Sequence, residues 1–247
     1  MSRERIIKQQ ARESLRGNIT ALIAGFLALA VMGVIIFDVP VFAAYLLNLV
    51  DAESGEVTGD SFLWYLLLEF GALVLAAVFS PLINGFFRLA ADTAVKGGCE
   101  INSFFYFFSS PRRYFRTLAV NMGLCALYSL LTAPLAIAGR LLGDVLPAPA
   151  ITAVLVIWQI FVYIFFIHYP LAAYAINDSR QAYYYVFGFI GFSFRYSGAL
   201  IKLIFSMLGW IALCFFIIPT LYVVPYLAVT LMNSARWLFA MNNKISD

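Results

Sequence analysis

Six long apolar stretches constrain this chain more than any other feature of its sequence. A helix that crosses the hydrocarbon core of a bilayer needs about 20 mainly apolar residues, at a rise of about 1.5 Å per residue. The segments that meet this requirement are residues 19–37, 62–87, 118–137, 150–173, 199–218 and 221–239. The sequence therefore predicts an all-α fold: a polytopic bundle of six transmembrane helices, with residues 1–247 forming a single transmembrane domain.

The composition supports a membrane location and excludes other classes of protein. The chain is 63% hydrophobic and 12% charged, whereas an average globular protein is roughly 45–50% apolar and about 25% charged. So few ions cannot cover a water-facing surface, and we expect the surplus apolar side chains to face the lipid bilayer. Phe occurs 24 times, which excludes a disordered chain. The same counts argue against nucleic acid as a partner.

The distribution of Lys and Arg predicts the orientation. Fifteen of the 16 basic residues fall in the N-terminal segment, the second and fourth loops, the C-terminus and their flanks, and only Arg140 falls on the other side. The opposite loop, residues 38–61, has five acids and neither Lys nor Arg. Short loops rich in Lys and Arg stay in the cytoplasm. The sequence therefore predicts that both termini are cytoplasmic.

Each odd-numbered predicted span follows a basic or aromatic-rich segment, at residues 11–22, 101–120 and 181–200. Interleaved Arg, Phe and Tyr are typical of amphipathic helices that lie in the headgroup plane. We therefore expect cytoplasmic interfacial helices that meet anionic lipid headgroups, through the basic side chains of Arg112, Arg113, Arg116 and Arg195. Residues 41–50 are too short for a further crossing, and the sequence leaves open whether they form a re-entrant or an interfacial helix.

Three of the polar residues inside predicted spans are candidates for an intramembrane site, because polar groups there are costly and mark functional candidates. Glu69 lies about 10 Å from the outer end of the second span; it could bind a cation, relay a proton or accept a hydrogen bond from a neighbouring helix. Gln159 is suited to a hydrogen bond between helices. Asn84 follows Pro81, where an amide can satisfy the carbonyl that a proline frees.

No catalytic or metal-binding pattern accompanies these residues. The chain has three Cys far apart and a single His, which matches no metal-ligand spacing. The nucleophile-elbow, zinc-protease and phosphate-loop motifs are absent, and Leu142-Gly143-Asp144 lacks most of an aspartyl protease motif. The sequence therefore predicts a protein that is not an enzyme and needs neither metal nor cofactor.

Short motifs occur at both ends of the chain, and their residues are Leu15, Gly17, Asn18, Gly85, Asn177, Asp178, Ser193, Gly198, Phe205, Gly209, Trp210, Pro225 and Tyr226. In these residues the chain resembles an uncharacterised bacterial integral-membrane family, domain of unknown function 975, which is related to the membrane module found with glycerophosphodiester phosphodiesterases. The middle departs from the family, with Leu-Pro-Ala-Pro-Ala where relatives often have Ile-Pro-Gly. The resemblance implies a multi-pass protein of the bacterial cytoplasmic (inner) membrane and brings no established activity.

Three functions fit these observations. The first is a non-enzymatic scaffold, accessory subunit or envelope factor, with a membrane-protein partner or a second copy of itself. The second is a small-solute transporter or channel, in which Glu69, Gln159 and Asn84 would face one another around a wet cavity. The third is a lipid-handling protein. A transporter requires a polar path, whereas a scaffold requires a packed interior and exposed apolar faces.

Overall fold

The computed structural model describes residues 3–50, 62–141 and 147–242, and every regular element within them is helical. The α-helices are α1 (Arg3–Leu15), α2 (Ile19–Gly33), α3 (Val39–Leu46), α4 (Phe62–Phe79), α5 (Pro81–Lys96), α6 (Pro111–Leu141), α7 (Ala148–Val162), α8 (His168–Ile176), α9 (Ala182–Phe187), α10 (Ile190–Phe205), α11 (Leu208–Leu213) and α12 (Ile217–Met241). Single π-helical turns join α2 to α3 and α7 to α8, and a 3₁₀ segment, Ile101–Phe108, precedes α6. The all-α prediction is confirmed for these residues. The predicted outer acids at residues 51–60 and Asp144 lie outside them.

Five helical stretches are long and apolar enough to cross a membrane: Ile19–Leu46, Leu63–Lys96, Pro111–Gly139, Pro149–Ile176 and Ile217–Met241. They confirm that the chain has the helices of a multi-pass membrane protein. The first stretch is longer than the sequence predicts. Its helix continues past Pro40, which directly follows the π-helical turn Val34–Asp38, because a local π-helical turn can accommodate the hydrogen bond that a proline removes. Residues 41–46 therefore extend the first helix instead of forming a separate one.

The predicted fifth span, residues 199–218, is divided in the structure. Helix α10 ends at Phe205, the short helix α11 covers Leu208–Leu213, and α12 already begins at Ile217. The predicted boundary between the last two spans, at residues 219–220, is wrong, because Pro219 lies in the first turn of α12, where a missing N–H is tolerated. Aromatic pairs at Phe192–Phe239 and Trp210–Tyr222, 5.2 and 6.0 Å between ring centres, place the two sides antiparallel.

Burial divides the molecule into two halves. In the packed half, which comprises α1, α5, Ile101–Phe108, α8, α9, α10 and the part of α12 from Val223 onward, residues His168–Ala175 are all buried, and α12 buries about half of its residues. In the apolar half, which comprises residues 27–46, 63–79, 125–139 and 149–161, nearly every side chain is exposed or half-buried. The apolar half therefore presents its hydrophobic helix faces outward.

A backbone contact at Gly85 holds the 3₁₀ segment against α5. A Cβ at this position would lie 1.9 Å from the carbonyl oxygen of Phe104, so only glycine permits this approach. Phe104 and Phe107 are both buried, and the Phe107 ring stacks on the Tyr174 ring. This aromatic segment, expected to lie flat at an interface, thus contributes two of its side chains to the core.

Candidate functional site

The ends of α5, α6 and α8 meet in a cluster of charged side chains, which we call the arginine cluster: Arg88, Asp92, Arg113, Arg116 and Asp178. Arg116 Nη2 donates to Asp178 Oδ2 at 2.5 Å, with side chains that are 21% and 14% exposed. A hydrogen bond between two charged groups is roughly twice as strong as one between neutral groups. The Arg116–Asp178 pair therefore ties the second turn of α6 to the loop after α8.

Arg88 joins α5 to the end of α8. Its Nη1 donates to the carbonyls of Ala175 and Ile176, at 2.8 and 2.9 Å, and thus satisfies acceptors that a helix C-terminus leaves free. Asp92, one turn further on, lies 3.6 Å from Arg88 Nε and 3.0 Å from Lys96 Nζ. This carboxylate keeps the Arg88 guanidinium in place.

The ring of Tyr106 contacts two guanidinium groups. Arg88 Cζ is 4.7 Å and Arg113 Cζ is 4.4 Å from the ring centre, within the range of a cation–π contact. Arg113 also donates to Ser109 Oγ at 2.8 Å, and Tyr106 donates to Asp178 at 3.3 Å. The predicted interfacial residues Arg113 and Arg116 are thus engaged within the protein.

The other two predicted interfacial arginines, Arg112 and Arg195, are exposed. Arg195 lies 5.7 Å from the ring of its neighbour Tyr196. In the loop after α8, the Tyr185 hydroxyl donates to the Asn177 carbonyl and accepts from Arg180 N–H, and burial raises the pKa of Tyr185. The loop at residues 177–180 is therefore fixed by neutral hydrogen bonds. The exposed side chains of Arg112 and Arg195 remain able to bind an anion.

The three polar residues predicted as an intramembrane site have separate surroundings. Glu69 is exposed on α4 and is hydrogen-bonded to the Tyr65 side chain one turn earlier. Gln159 lines a cavity of about 500 Å³ with Tyr128 and Tyr163, to which neither Glu69 nor Asn84 contributes. Among the described residues, no group of three His, Cys, Asp or Glu side chains could hold a metal ion.

Asn84 is fully buried and takes part in an amide chain between α5 and α6. It donates to Asn121 Oδ1 at 2.6 Å, and Asn121 donates to Ser80 Oγ at 3.0 Å. The carbonyls near the break between α4 and α5 are bound by other groups, because Ser80 Oγ donates to Ala77 and the Tyr114 hydroxyl donates to Val78. The expectation that Asn84 satisfies a freed carbonyl is therefore wrong. Asn121 and Tyr114 carry no motif that could have identified them.

An apolar groove of about 640 Å³ opens on the side of α2. It lies between α2, the α4–α5 junction and the 3₁₀ segment. Its lining is entirely hydrophobic: Leu27, Ala28, Val31, Met32, Phe79, Leu82, Phe104, Phe105 and Phe108. The groove therefore suits an apolar chain or helix and offers no hydrogen bond to a polar solute.

The basic helix α1 packs along the α10–α12 region. Glu4 lies 3.4 Å from Lys202, and Lys8 donates to the carbonyl of Ser206 at 3.3 Å. One turn later, the Arg12 guanidinium lies 5.7 Å from the Trp210 ring and 5.8 Å from the Tyr226 ring. Contacts at steps of four residues on both helices show that α1 runs parallel to α10 and α11.

Several residues of the family resemblance occupy demanding positions. Gly17 has a φ of +87°, a conformation that favours glycine. Asn18 donates to the carbonyls of Ser14 and Gly97 and accepts from the Cys99 N–H, so it joins the start of α2 to the end of α5. The chain matches no protein-family model, no curated protein and no solved structure.

Proposed function

We propose that this chain is a non-enzymatic scaffold or accessory protein of the bacterial cytoplasmic membrane, with both termini and the arginine cluster in the cytoplasm. In this proposal, all six apolar segments enter the membrane, and the chain belongs to the family that its ends resemble. The positions of Gly17, Asn18 and Gly85 support that membership, because each residue type is needed where it stands.

The division into a packed and an apolar half carries the functional proposal. The packed half is tied together by the arginine cluster and by Asn18, so it is suited to hold its shape without a partner. The apolar half leaves helix faces uncovered and contains a groove without a polar group. A scaffold needs this combination, because free apolar faces and grooves can receive helices of another membrane protein.

Site-specific photocrosslinking in native membranes tests the scaffold. A photoreactive phenylalanine at Val31, within the groove, is expected to give a discrete adduct with another membrane protein. The same probe at Leu130, which points outward from α6 and is 72% exposed, is the matched control and should give lipid adducts alone. Lipid adducts alone at both positions would reject the scaffold.

Lipid handling is the second candidate, and the exposed arginine Arg112 supports it. This residue follows Phe108 of the groove lining by four positions, so a chain in the groove and an anionic headgroup on Arg112 could belong to one lipid. Under this alternative, the Val31 probe captures phospholipid at a level that falls in an Arg112→Gln variant. Under the scaffold proposal, that substitution leaves the protein adduct unchanged.

The transport alternative has less support. Glu69, Asn84 and Gln159 contact different partners, and the cavity that contains Gln159 is otherwise lined by apolar and Tyr side chains. Proteoliposomes distinguish this alternative directly. Flux of a small cation or polar solute through the purified protein would establish transport, whereas the scaffold predicts none.

A further inference from the structure

The turn between α11 and α12 is the most exposed apolar part of the described chain. Phe215, Ile217 and Ile218 are 90%, 86% and 82% exposed. No charged residue occurs between Lys202 and Arg236. Full burial of a side chain of this size is worth about 1.5–3 kcal/mol, so three such side chains at one turn require an apolar environment.

The contacts of Arg12 indicate which residues on either side of this turn lie at the membrane surface. The helix that carries Arg12, α1, has six charged residues among thirteen, and such a helix lies outside the hydrocarbon core. Arg12 lies next to both Trp210 and Tyr226. These two aromatic residues, one on each side of the turn, are therefore held at the level of α1.

The segment beyond these two residues is too short to cross a bilayer. Residues 211–216 rise about 9 Å and residues 217–225 return over about 13 Å, at 1.5 Å per residue. The hydrocarbon core is about 30 Å thick. The turn thus reaches less than halfway, although α12 as a whole is long and apolar enough to cross.

The turn satisfies much of its own backbone, which lowers the cost of placing it in lipid. The N–H groups of residues 214, 215 and 216 donate to the carbonyls of residues 211, 212 and 213, at 3.0, 3.3 and 3.1 Å. The Thr220 hydroxyl lies 3.0 Å from the Cys214 carbonyl and 2.7 Å from the Phe216 carbonyl. Pro219 has no N–H to satisfy.

We infer that residues 211–225 form a re-entrant hairpin whose turn is embedded in the acyl chains of the leaflet that borders α1. The chain then crosses the membrane four times, and its last apolar pair enters and leaves on the same side. The identity of that leaflet as the cytoplasmic one rests on the proposed function, which places α1 in the cytoplasm.

Nitroxide accessibility in proteoliposomes tests the hairpin. A spin label at Ile217→Cys, with the native cysteines replaced by Ser, is expected to collide freely with oxygen. Its collision rate with a water-soluble nickel chelate should be about tenfold lower than at Ser179→Cys, because a lipid-embedded turn excludes polar solutes. Leu130→Cys is the matched lipid-facing control, and Ser179→Cys is the exposed, water-facing one.

Two outcomes would overturn the inference. Nickel access equal to that of Ser179→Cys means that the turn emerges into water, whereas exclusion of both oxygen and nickel means that protein covers it. If Ile217→Cys fails to fold, the native Cys214 in the same turn carries the label, with only Cys99 and Cys125 replaced. The orientation is judged separately: labelling of Ser54→Cys only from the cytoplasmic side refutes the proposed orientation and leaves the hairpin untouched.

Discussion

The Arg3 guanidinium carbon lies 3.9 Å from the centre of the Trp237 ring, so the first turn of α1 touches the last turns of α12. Two ends in direct contact lie on the same side of any membrane that the helices between them cross. The contact therefore predicts an even number of crossings.

Epitope tags placed before residue 3 and after residue 242 are accordingly expected to be digested by protease from the same face of the membrane. Protease added to inverted vesicles and to intact spheroplasts measures this directly. Digestion of the two tags from opposite faces would show that the Arg3–Trp237 contact does not exist in the membrane.

Gly85→Ala is expected to destabilise the protein by about 1–3 kcal/mol, the usual cost of forcing extra atoms into a packed interior. The added Cβ would lie 1.9 Å from the Phe104 carbonyl oxygen, so the 3₁₀ segment would have to move. Thermal unfolding in detergent provides the measurement. Gly71→Ala on α4, with no atom within 4 Å of its Cβ, serves as the control, and an equal effect at both positions would refute the packing argument.

The Arg116–Asp178 pair should show strong coupling in a double-mutant cycle. Arg116→Gln and Asp178→Asn are each expected to cost about 2 kcal/mol of unfolding free energy, because each leaves a charge without its partner in a largely buried place. The double variant should cost clearly less than the sum, since neighbouring residues are not additive.

The control for this cycle is the Lys202–Glu4 pair, whose Lys202 side chain is 74% exposed. Exposed ion pairs are worth about 0–1 kcal/mol, so Lys202→Gln should have little effect on unfolding. Purely additive effects at Arg116 and Asp178 would mean that the pair contributes nothing to stability.

The amide chain between α5 and α6 predicts that Asn121→Leu is more harmful than Asn84→Leu. Asn121 bonds both Asn84 and Ser80, and hydrogen bonds between membrane helices are worth roughly 0.6–2 kcal/mol each. Unfolding in detergent measures both variants. Thr132→Val removes a hydroxyl that bonds only within its own helix and should be nearly silent; a larger loss there than at Asn121 would contradict the assignment.

Glu69→Gln is expected to leave stability unchanged and to create no flux. The residue is exposed on α4, and the amide oxygen of Gln can still accept from Tyr65. Unfolding and proteoliposome cation flux, measured for both proteins, check this. A cation flux in the natural protein that Glu69→Gln abolishes would replace the scaffold with a transporter.

Local hydrophobicity predicted the helical fold and the helices that can cross a membrane, because an apolar run of 20 residues has few alternatives. It did not predict the divided region at residues 199–218. Hydropathy registers the side chains of a segment and not its neighbours, and the neighbour here is α1, almost 200 residues away. Nor does hydropathy show that Pro219 lies in the first turn of a helix. A proline whose position in a helix is unknown is normally taken to end that helix.

At the candidate site, the sequence indicated which polar residues matter better than it indicated their partners. Asn84 was expected to bond across a helix break, and it does lie beside one, but its partner is Asn121 on another helix. Arg113 and Arg116 were expected to meet lipid, yet tertiary packing gives them Tyr106 and Asp178 as partners. A basic residue near a predicted interface has the same sequence signature whether it meets a headgroup or a carboxylate.

The packing of α1 against α10 and α12 has a consequence for biosynthesis. Lys8 leaves the ribosome 198 residues before Ser206, its contact on α10. At a synthesis rate of about 5–20 residues per second, this interval lasts roughly 10–40 s. During that time, the buried face of α1 has none of its partners from the end of the chain. The N-terminal helix can therefore dock only after nearly the whole protein has been made, so its docking marks the completion of assembly.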